Sequence, residues 1–313
     1  MTGGGAELVR AHREAGSSFV AGGVRSFVRA EGTGEPVVLM HGLPASSYLY
    51  RKVIPHLTAR GLRAVAFDLP GLGLAEHPAD FDYRLGGLGE FAAAAVDVLA
   101  PGRFHLVVHD AGGPVGFELV RRRPDRVRSL TILNTMVEIP TAPFPGEILA
   151  RTSRRVGGWL GSPRVWELML HRVGVADSSA LGRDEADAYR LLALGDDDGA
   201  GYLNIMRNVR ASASTTGASY RDVVDTAHVS YPVQVIWGAQ DPILTLRRRG
   251  LEMLSATGLD HMTVVPGKHF IQEDCAPAIA EAIVRLARSD GGERPREQRT
   301  ALGTARARGQ RSV

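Results

Sequence analysis

The chain has 313 residues, 44% hydrophobic and 23% charged, which is enough apolar sequence to bury a large core and too regular a balance for a disordered protein. No apolar run is long enough to cross a bilayer, and the N-terminal MTGGGAELVRAHREAG lacks the apolar centre of a secretion signal, so the expected compartment is the cytoplasm. The net charge of +3 resides in residues 289–313, where six arginines accompany almost nothing to bury; this segment reads as a disordered basic tail. Without it the body is close to neutral, and no nucleic-acid or membrane partner is expected. The single cysteine, Cys275, excludes an internal disulfide and a cysteine metal cluster, and is expected to be an inert small hydrophobe.

In chain order, two short strand-like runs, SSFVAGG and VRSFVRAEG, open the pattern. EPVVLMHG then reads as a fully buried strand, followed by SSYLYRKVIPHLTARG, expected as one amphipathic helix ending at Gly61. LRAVAFDLPG and FHLVVHD are further buried strands, separated by the helical GLGEFAAAAVDVLAPG; GPVGFELVRRRPD is a helix and VRSLTILNT a strand. This alternation predicts an α/β protein with a mostly parallel sheet and helices on both faces. The rhythm breaks near residue 139, and strong strands return only with PVQVIWG, HMTVVPG and the helix APAIAEAIVRLARS. The expected organisation is therefore a core over 17–138 and 230–288, interrupted by a mostly helical cap over 139–229. Within the cap, GDDDG at 195–199 lacks calcium-loop spacing and reads as a solvated loop.

Open parallel sheets bind ligands at the carboxyl ends of their strands. Those ends carry His41-Gly42-Leu43-Pro44, Asp68, Asp110, Asn134, Asp241 and His269. On these residues the chain resembles the α/β-hydrolases, over about residues 17–288. VHDAG at 108–112 is similar to the family's nucleophile elbow, with Asp in place of Ser and Val in place of the first Gly. DLPGLGLAE resembles the D-x-x-G-x-G-x-S loop with Ala75 for the serine, WGAQDP resembles the acid loop, and GKHFIQED the histidine loop.

The residue types imply the roles. Asp110, acceptor-only when ionised, can attack an electrophilic carbon and form an ester of its own side chain. His269 is the expected base for the water that cleaves this ester, and Asp241 would orient its other ring nitrogen. The backbone N–H groups of Ala111 and Leu43 would hold the oxyanion. An aspartate before Gly-Gly is also an ordinary helix cap, and non-catalytic, ligand-binding members of such folds exist; Asp241 and His269 in register argue for catalysis. His105 and His109 make a weak metal pair without a third ligand, so no metal or cofactor is expected.

Among relatives with an aspartate nucleophile, the resemblance points to epoxide hydrolases and haloalkane dehalogenases. HGLPASSYLYRKVIPHL is similar to the dehalogenase stretch, yet the halide-binding Asn falls on Leu43 and the Trp after the nucleophile on Ala111. Neither replacement can hydrogen-bond a desolvated halide. Fluoroacetate dehalogenases carry arginines just after the nucleophile, and residues 111–116 contain none. HGLP satisfies the H-G-x-P motif of epoxide hydrolases, whose lid tyrosines protonate the opening ring. The expected donors are Tyr220, assisted by Trp159, with His41, Asn134 and Tyr202 lining the pocket. The expected activity is therefore epoxide hydrolysis of a hydrophobic small-molecule substrate, with Ala111 leaving room for a bulky one. Haloalkane dehalogenation is the alternative, with Trp159 and Asn134 as its halide donors.

Overall fold

The computed structural model describes residues 3–139, 148, 161–208, 212 and 219–289. Trp159 and residues 290–313, the bulk of the expected basic tail, lie outside the described residues. The first element is one that the hydropathy pattern does not announce, helix α1 (Gly4–Glu14). Its two leading glycines are poor helix formers but allow close contact: a Cβ on Gly4 would lie 2.0 Å from Asp184 Cγ. His12, on the same helix, ties it to the core through Nε2 and Ser47 Oγ at 3.0 Å.

Strands β1 (Ser17–Ala21) and β2 (Val24–Glu31) form an antiparallel hairpin. Its two-residue turn, Gly22-Gly23, has both φ angles positive, at 55° and 78°, which suits glycine and matches the strand twist. The remaining strands are β3 (Pro36–Met40), β4 (Arg63–Phe67), β5 (Phe104–Asp110), β6 (Val127–Thr135), β7 (Val233–Gly238) and β8 (Thr263–Val265). The sheet order is β1-β2-β4-β3-β5-β6-β7-β8, antiparallel as far as the β2–β4 pair and parallel from β4 onward. Every residue of β5 is buried, as a central parallel strand requires. Each large apolar side chain there, such as Leu106 or Val107, stabilises the fold by roughly 1.5–3 kcal/mol.

The expected helix over SSYLYRKVIPHLTARG is two pieces, a 3₁₀ turn (Ser47–Tyr50) and a short helix α2 (Ile54–Thr58). Pro55 has no N–H to give an earlier turn, so a helix containing it must begin there. Helices α3 (Leu85–Leu99) and α4 (Gly112–Arg122) cover one face of the sheet. On the other face lie α2 and the C-terminal helix (Ala276–Ser289).

Between β6 and β7 the described residues hold helices α5 (Pro163–Met169), α6 (Arg183–Leu194), α7 (Ala200–Asn208) and α8 (Arg221–Val224). The GDDDG loop is not merely solvated. Asp197 caps α7, its Oδ1 accepting the Ala200 N–H at 3.0 Å and its Oδ2 the Gly201 N–H at 2.9 Å. Unpaired N–H groups at a helix start attract such an acceptor, and His77 holds the same carboxylate at 2.7 Å. No helix among the described residues is long and apolar enough to cross a membrane.

Candidate active site

The parallel register sets the carboxyl ends of the strands level: Met40 lies beside Val108, Asp110 beside Thr135, and Leu133 beside Ile236. Asp110 occupies the sharp turn between β5 and α4, with φ at +50°, a left-handed conformation that costs an L-residue about 1–2 kcal/mol. Small residues make room for it. A Cβ on Gly42 would fall 2.5 Å from Asp110 Oδ2, and one on Gly113 would fall 1.9 Å from Thr135 Oγ1. Thr135 in turn donates its hydroxyl to the Asp110 carbonyl. The elbow is thus held by neighbours that leave its carboxylate projecting above the sheet.

Asp110 Oδ2 accepts the Leu43 N–H at 2.8 Å, and the Ala111 N–H also stabilises the carboxylate's charge. Asp110 Oδ1 lies 3.4 Å from His269 Nε2, and His269 Nδ1 lies 2.8 Å from Asp241 Oδ2. Asp110, His269 and Asp241 therefore form one chain, drawn from the end of β5, the loop after β8 and the loop after β7. Asp241 is saturated. Its Oδ1 accepts the Ile243 and Leu244 N–H groups at 2.8 and 2.9 Å, and its Oδ2 the Asn134 Nδ2 at 2.6 Å.

Burial raises the Asp110 pKa, but the His269 hydrogen bond and charge outweigh it and hold the carboxyl down to about 2. Burial lowers that of His269, yet Asp241 and Asp110 on its two sides push it up to about 10. At neutral pH the imidazolium is sandwiched between two carboxylates.

Three expected pocket or donor residues are placed otherwise. His41 is fully buried, with Nδ1 donating to the Gly42 carbonyl at 3.0 Å and Nε2 accepting the Leu69 N–H at 3.0 Å. Both ring nitrogens brace the loops after β3 and β4, so His41 is structural rather than a pocket residue. Asn134 is also fully buried, and besides Asp241 its Nδ2 reaches the Lys268 carbonyl at 3.2 Å while its Oδ1 accepts the Gly238 N–H at 2.9 Å. Its amide is spent on Asp241, Lys268 and Gly238 and has nothing left for a substrate or a halide. Tyr220 is buried with its ring centroid 5.5 Å from that of Phe117 and 4.5 Å from the Arg121 guanidinium. Phe117 and Arg121 belong to later turns of α4, which separates the ring from the elbow at the helix start. Tyr202, on α7, feels the charge of Asp110: burial, then that charge, push its hydroxyl up to about 12. Trp159 lies outside the described residues.

Sequence reasoning missed the work of Asn134 and of His109, whose Nε2 meets the His269 carbonyl at 2.9 Å. An Asn at a strand end, the residue type that tolerates a left-handed backbone, was the available signal for the first, and its φ is +28°. His105 faces Ser129 and Glu35 at the other end of β5 from His109.

The family described as alpha/beta hydrolase fold matches residues 35–275. The chain belongs to that family. Its curated relatives include haloalkane dehalogenase 2 of Mycobacterium tuberculosis, 32% identical over 264 residues that cover 81% of this chain and 88% of the relative. A haloalkane dehalogenase of Psychrobacter cryohalolentis is 29% identical over 80% of this hydrolase and 83% of its own length. Among solved structures, an epoxide hydrolase from Vigna radiata superposes with a TM-score of 0.71 at 24% identity, covering 88% of this hydrolase and 97% of that chain. At that identity the superposition speaks for the fold.

Proposed function

We propose that this hydrolase opens epoxides to vicinal diols through a covalent ester on Asp110. A carboxylate oxygen of Asp110 attacks a ring carbon, the carbon–oxygen bond breaks, and the Tyr202 hydroxyl gives its proton to the departing oxygen. Esterification removes one of the two anions beside His269, so its proton affinity falls and the proton passes to the tyrosinate through solvent. Neutral His269 then takes a proton from water as the water oxygen attacks the ester carbonyl. The oxyanion is held by the Leu43 and Ala111 N–H groups. Collapse expels the diol alkoxide, which takes the proton of the new carboxyl group. Asp110 and protonated His269 are restored, and one water is consumed.

The observation that carries this reading is the chain Asp110–His269–Asp241, at 3.4 and 2.8 Å, with the Leu43 N–H on the Asp110 carboxylate at 2.8 Å. Tyr202, whose hydroxyl is pushed up by burial and by the Asp110 charge, is the proton donor we assign to it. A tyrosine hydroxyl can protonate an alkoxide, which needs an acid; a halide needs only hydrogen bonds. At positions 43 and 111, flanking the nucleophile, the side chains are hydrocarbon. Ala111 also leaves space beside the carboxylate, which favours a bulky, hydrophobic epoxide. The segment between β6 and β7 would then act as the lid that excludes water from the first step.

The 32% identity to a haloalkane dehalogenase favours a second reading, halide release from an alkyl halide by the same Asp110 ester. The deciding experiment offers aryl and aliphatic epoxides and bromoalkanes to the purified protein, and follows diol and bromide. Diol without bromide supports the first reading, and bromide without diol the second. In either case Asp110→Asn is inactive, and His269→Gln gains the substrate's mass as a trapped ester. No mass gain counts against covalent catalysis.

A further inference from the structure

His109 is a buried titratable group that the chemistry above does not use. It precedes the nucleophile on β5 and is fully buried. Its ring centroid lies 4.9 Å from that of His269 and 5.9 Å from that of Phe270. Nε2 meets the His269 carbonyl at 2.9 Å, and a carbonyl can only accept, so the proton sits on Nε2. Burial and the His269 charge push the His109 pKa down to about 4, which keeps the ring neutral with that single proton. Nδ1 is then left as a lone-pair acceptor, buried with no partner among the described residues.

A stranded acceptor of this kind destabilises a fold by roughly 1–3 kcal/mol, so packing alone would favour an apolar side chain here. What the imidazole contributes in exchange is the donor on its other nitrogen, aimed at the backbone of the base. The rest of that backbone is held from the opposite side. The His269 N–H donates to the Val173 carbonyl at 3.1 Å and the Phe270 N–H to the Gly174 carbonyl at 2.8 Å. Lys268 Nζ reaches the His171 carbonyl at 2.7 Å. Thus the segment between β6 and β7 grips the base by its N–H, and His109 alone among these contacts grips its carbonyl from the nucleophile's own strand.

We infer that His109 is a positioning residue that sets the distance between Asp110 and His269, by linking the residue next to the nucleophile to the carbonyl of the base. The link matters most when the ester forms. Asp110 then ceases to be an anionic partner for His269, and the imidazole must stay aimed at the ester carbonyl without that attraction. Loss of the link therefore slows ester hydrolysis more than ester formation. This part of the inference rests on the proposed ester mechanism; the geometric part does not.

The test compares His109→Gln with His109→Met, two unbranched side chains of similar length of which only Gln has a donor. The first readout needs no substrate: the low-field proton resonance of His269 Nδ1–H, bonded to Asp241. It is expected to remain near its wild-type position in His109→Gln and to broaden or vanish in His109→Met. The second readout uses the epoxide or bromoalkane turned over best. In His109→Met ester formation stays within about threefold of wild type, while hydrolysis falls at least about tenfold and the alkylated protein accumulates in the mass spectrum. His109→Gln recovers most of that loss.

An unchanged resonance in His109→Met overturns the inference. So does an equal loss in both steps, or a His109→Met protein that fails to fold while His109→Gln folds, because either result makes the bond purely structural. If His269→Gln traps an ester and His109→Met hydrolyses its ester at the wild-type rate, the positioning role fails and the ester mechanism stands. If no ester is trapped, the mechanism fails and the resonance still decides the geometry.

Discussion

Replacing Asn134 by alanine tests whether Asp241, the acid of the proposed triad, is held in place from beneath. Asn134 donates to Asp241 at 2.6 Å and accepts the Gly238 N–H at 2.9 Å, with every atom of the side chain out of solvent. The bond to the ionised Asp241 is worth about 2 kcal/mol, and a stranded Gly238 N–H costs about 1–2 kcal/mol more. Alanine tolerates the left-handed backbone of position 134 less well than asparagine, which adds about 1 kcal/mol. The expected loss is therefore about 4–5 kcal/mol, read as a lower urea midpoint at unchanged slope, with the melting temperature down by roughly 10 °C. Asp241 also loses one of the donors that fix its Oδ2 against His269, so kcat should fall by about 10–100-fold through misplacement of the base. A second variant separates charge from shape. Asn134→Asp keeps the acceptor for Gly238 but sets a carboxylate against Asp241, so its penalty should shrink as the pH is lowered and the added carboxyl is protonated. An Asn134→Ala protein within 1 kcal/mol of wild type, with unchanged kcat, would refute this account of Asn134.

Tyr202→Phe should lower kcat for epoxides by about 100-fold and leave release of bromide from a bromoalkane nearly unchanged, since bromide needs no proton; parallel losses on both substrates would sink the assignment of Tyr202. Ala111→Trp fills the space beside the nucleophile, so kcat/KM should drop at least about tenfold for a polycyclic epoxide and little for a small aliphatic one; equal handling of the large substrate would remove the steric argument. The pH dependence of stability follows from the shifted groups. The lowered Asp110 pKa contributes stability present above its unfolded value near 4 and lost as the pH falls towards about 2, while the raised His269 pKa contributes stability present below its unfolded value near 6.5 and lost as the pH rises through about 10. His12 and His109, both held to about 4 chiefly by burial, take up protons more readily when unfolded, so stability also declines from about pH 6.5 down to 4. Urea midpoints between pH 3 and 10 should therefore peak near neutrality, and Asp110→Asn should flatten the decline above pH 7.

The order and kind of most strands were legible because a strand buried on both faces must be apolar throughout, as PVVLM and FHLVVHD are. That Asp110, Asp241 and His269 come together was legible for a related reason: each is a chemically capable side chain at the end of such a strand or in the loop that follows one, where a parallel sheet gathers its ligands. Helix α1 was hidden, because its glycines oppose helix formation locally and are favoured only by the close approach of α6. The break before Pro55 was readable from proline's missing N–H, and the amphipathic pattern around it masked the signal.

Which polar groups are free to meet a substrate was decided only in three dimensions. His41, Asn134 and His109 are the residue types that serve active sites, and they occur beside the catalytic motifs. Their hydrogen bonds go to groups distant in sequence, those of Asn134 to Asp241 and Gly238, that of His41 Nε2 to Leu69, and that of the single His109 donor to the His269 carbonyl. Tyr202 and Tyr220 are likewise indistinguishable along the chain; Tyr220 packs on Phe117 and Arg121 of α4, whereas Tyr202 feels the charge of Asp110. The sequence by itself determined which groups are chemically able to react, because that is a property of residue type and strand position. The tertiary structure decided which neighbours aim them, because a donor's partner depends on distance and not on order along the chain.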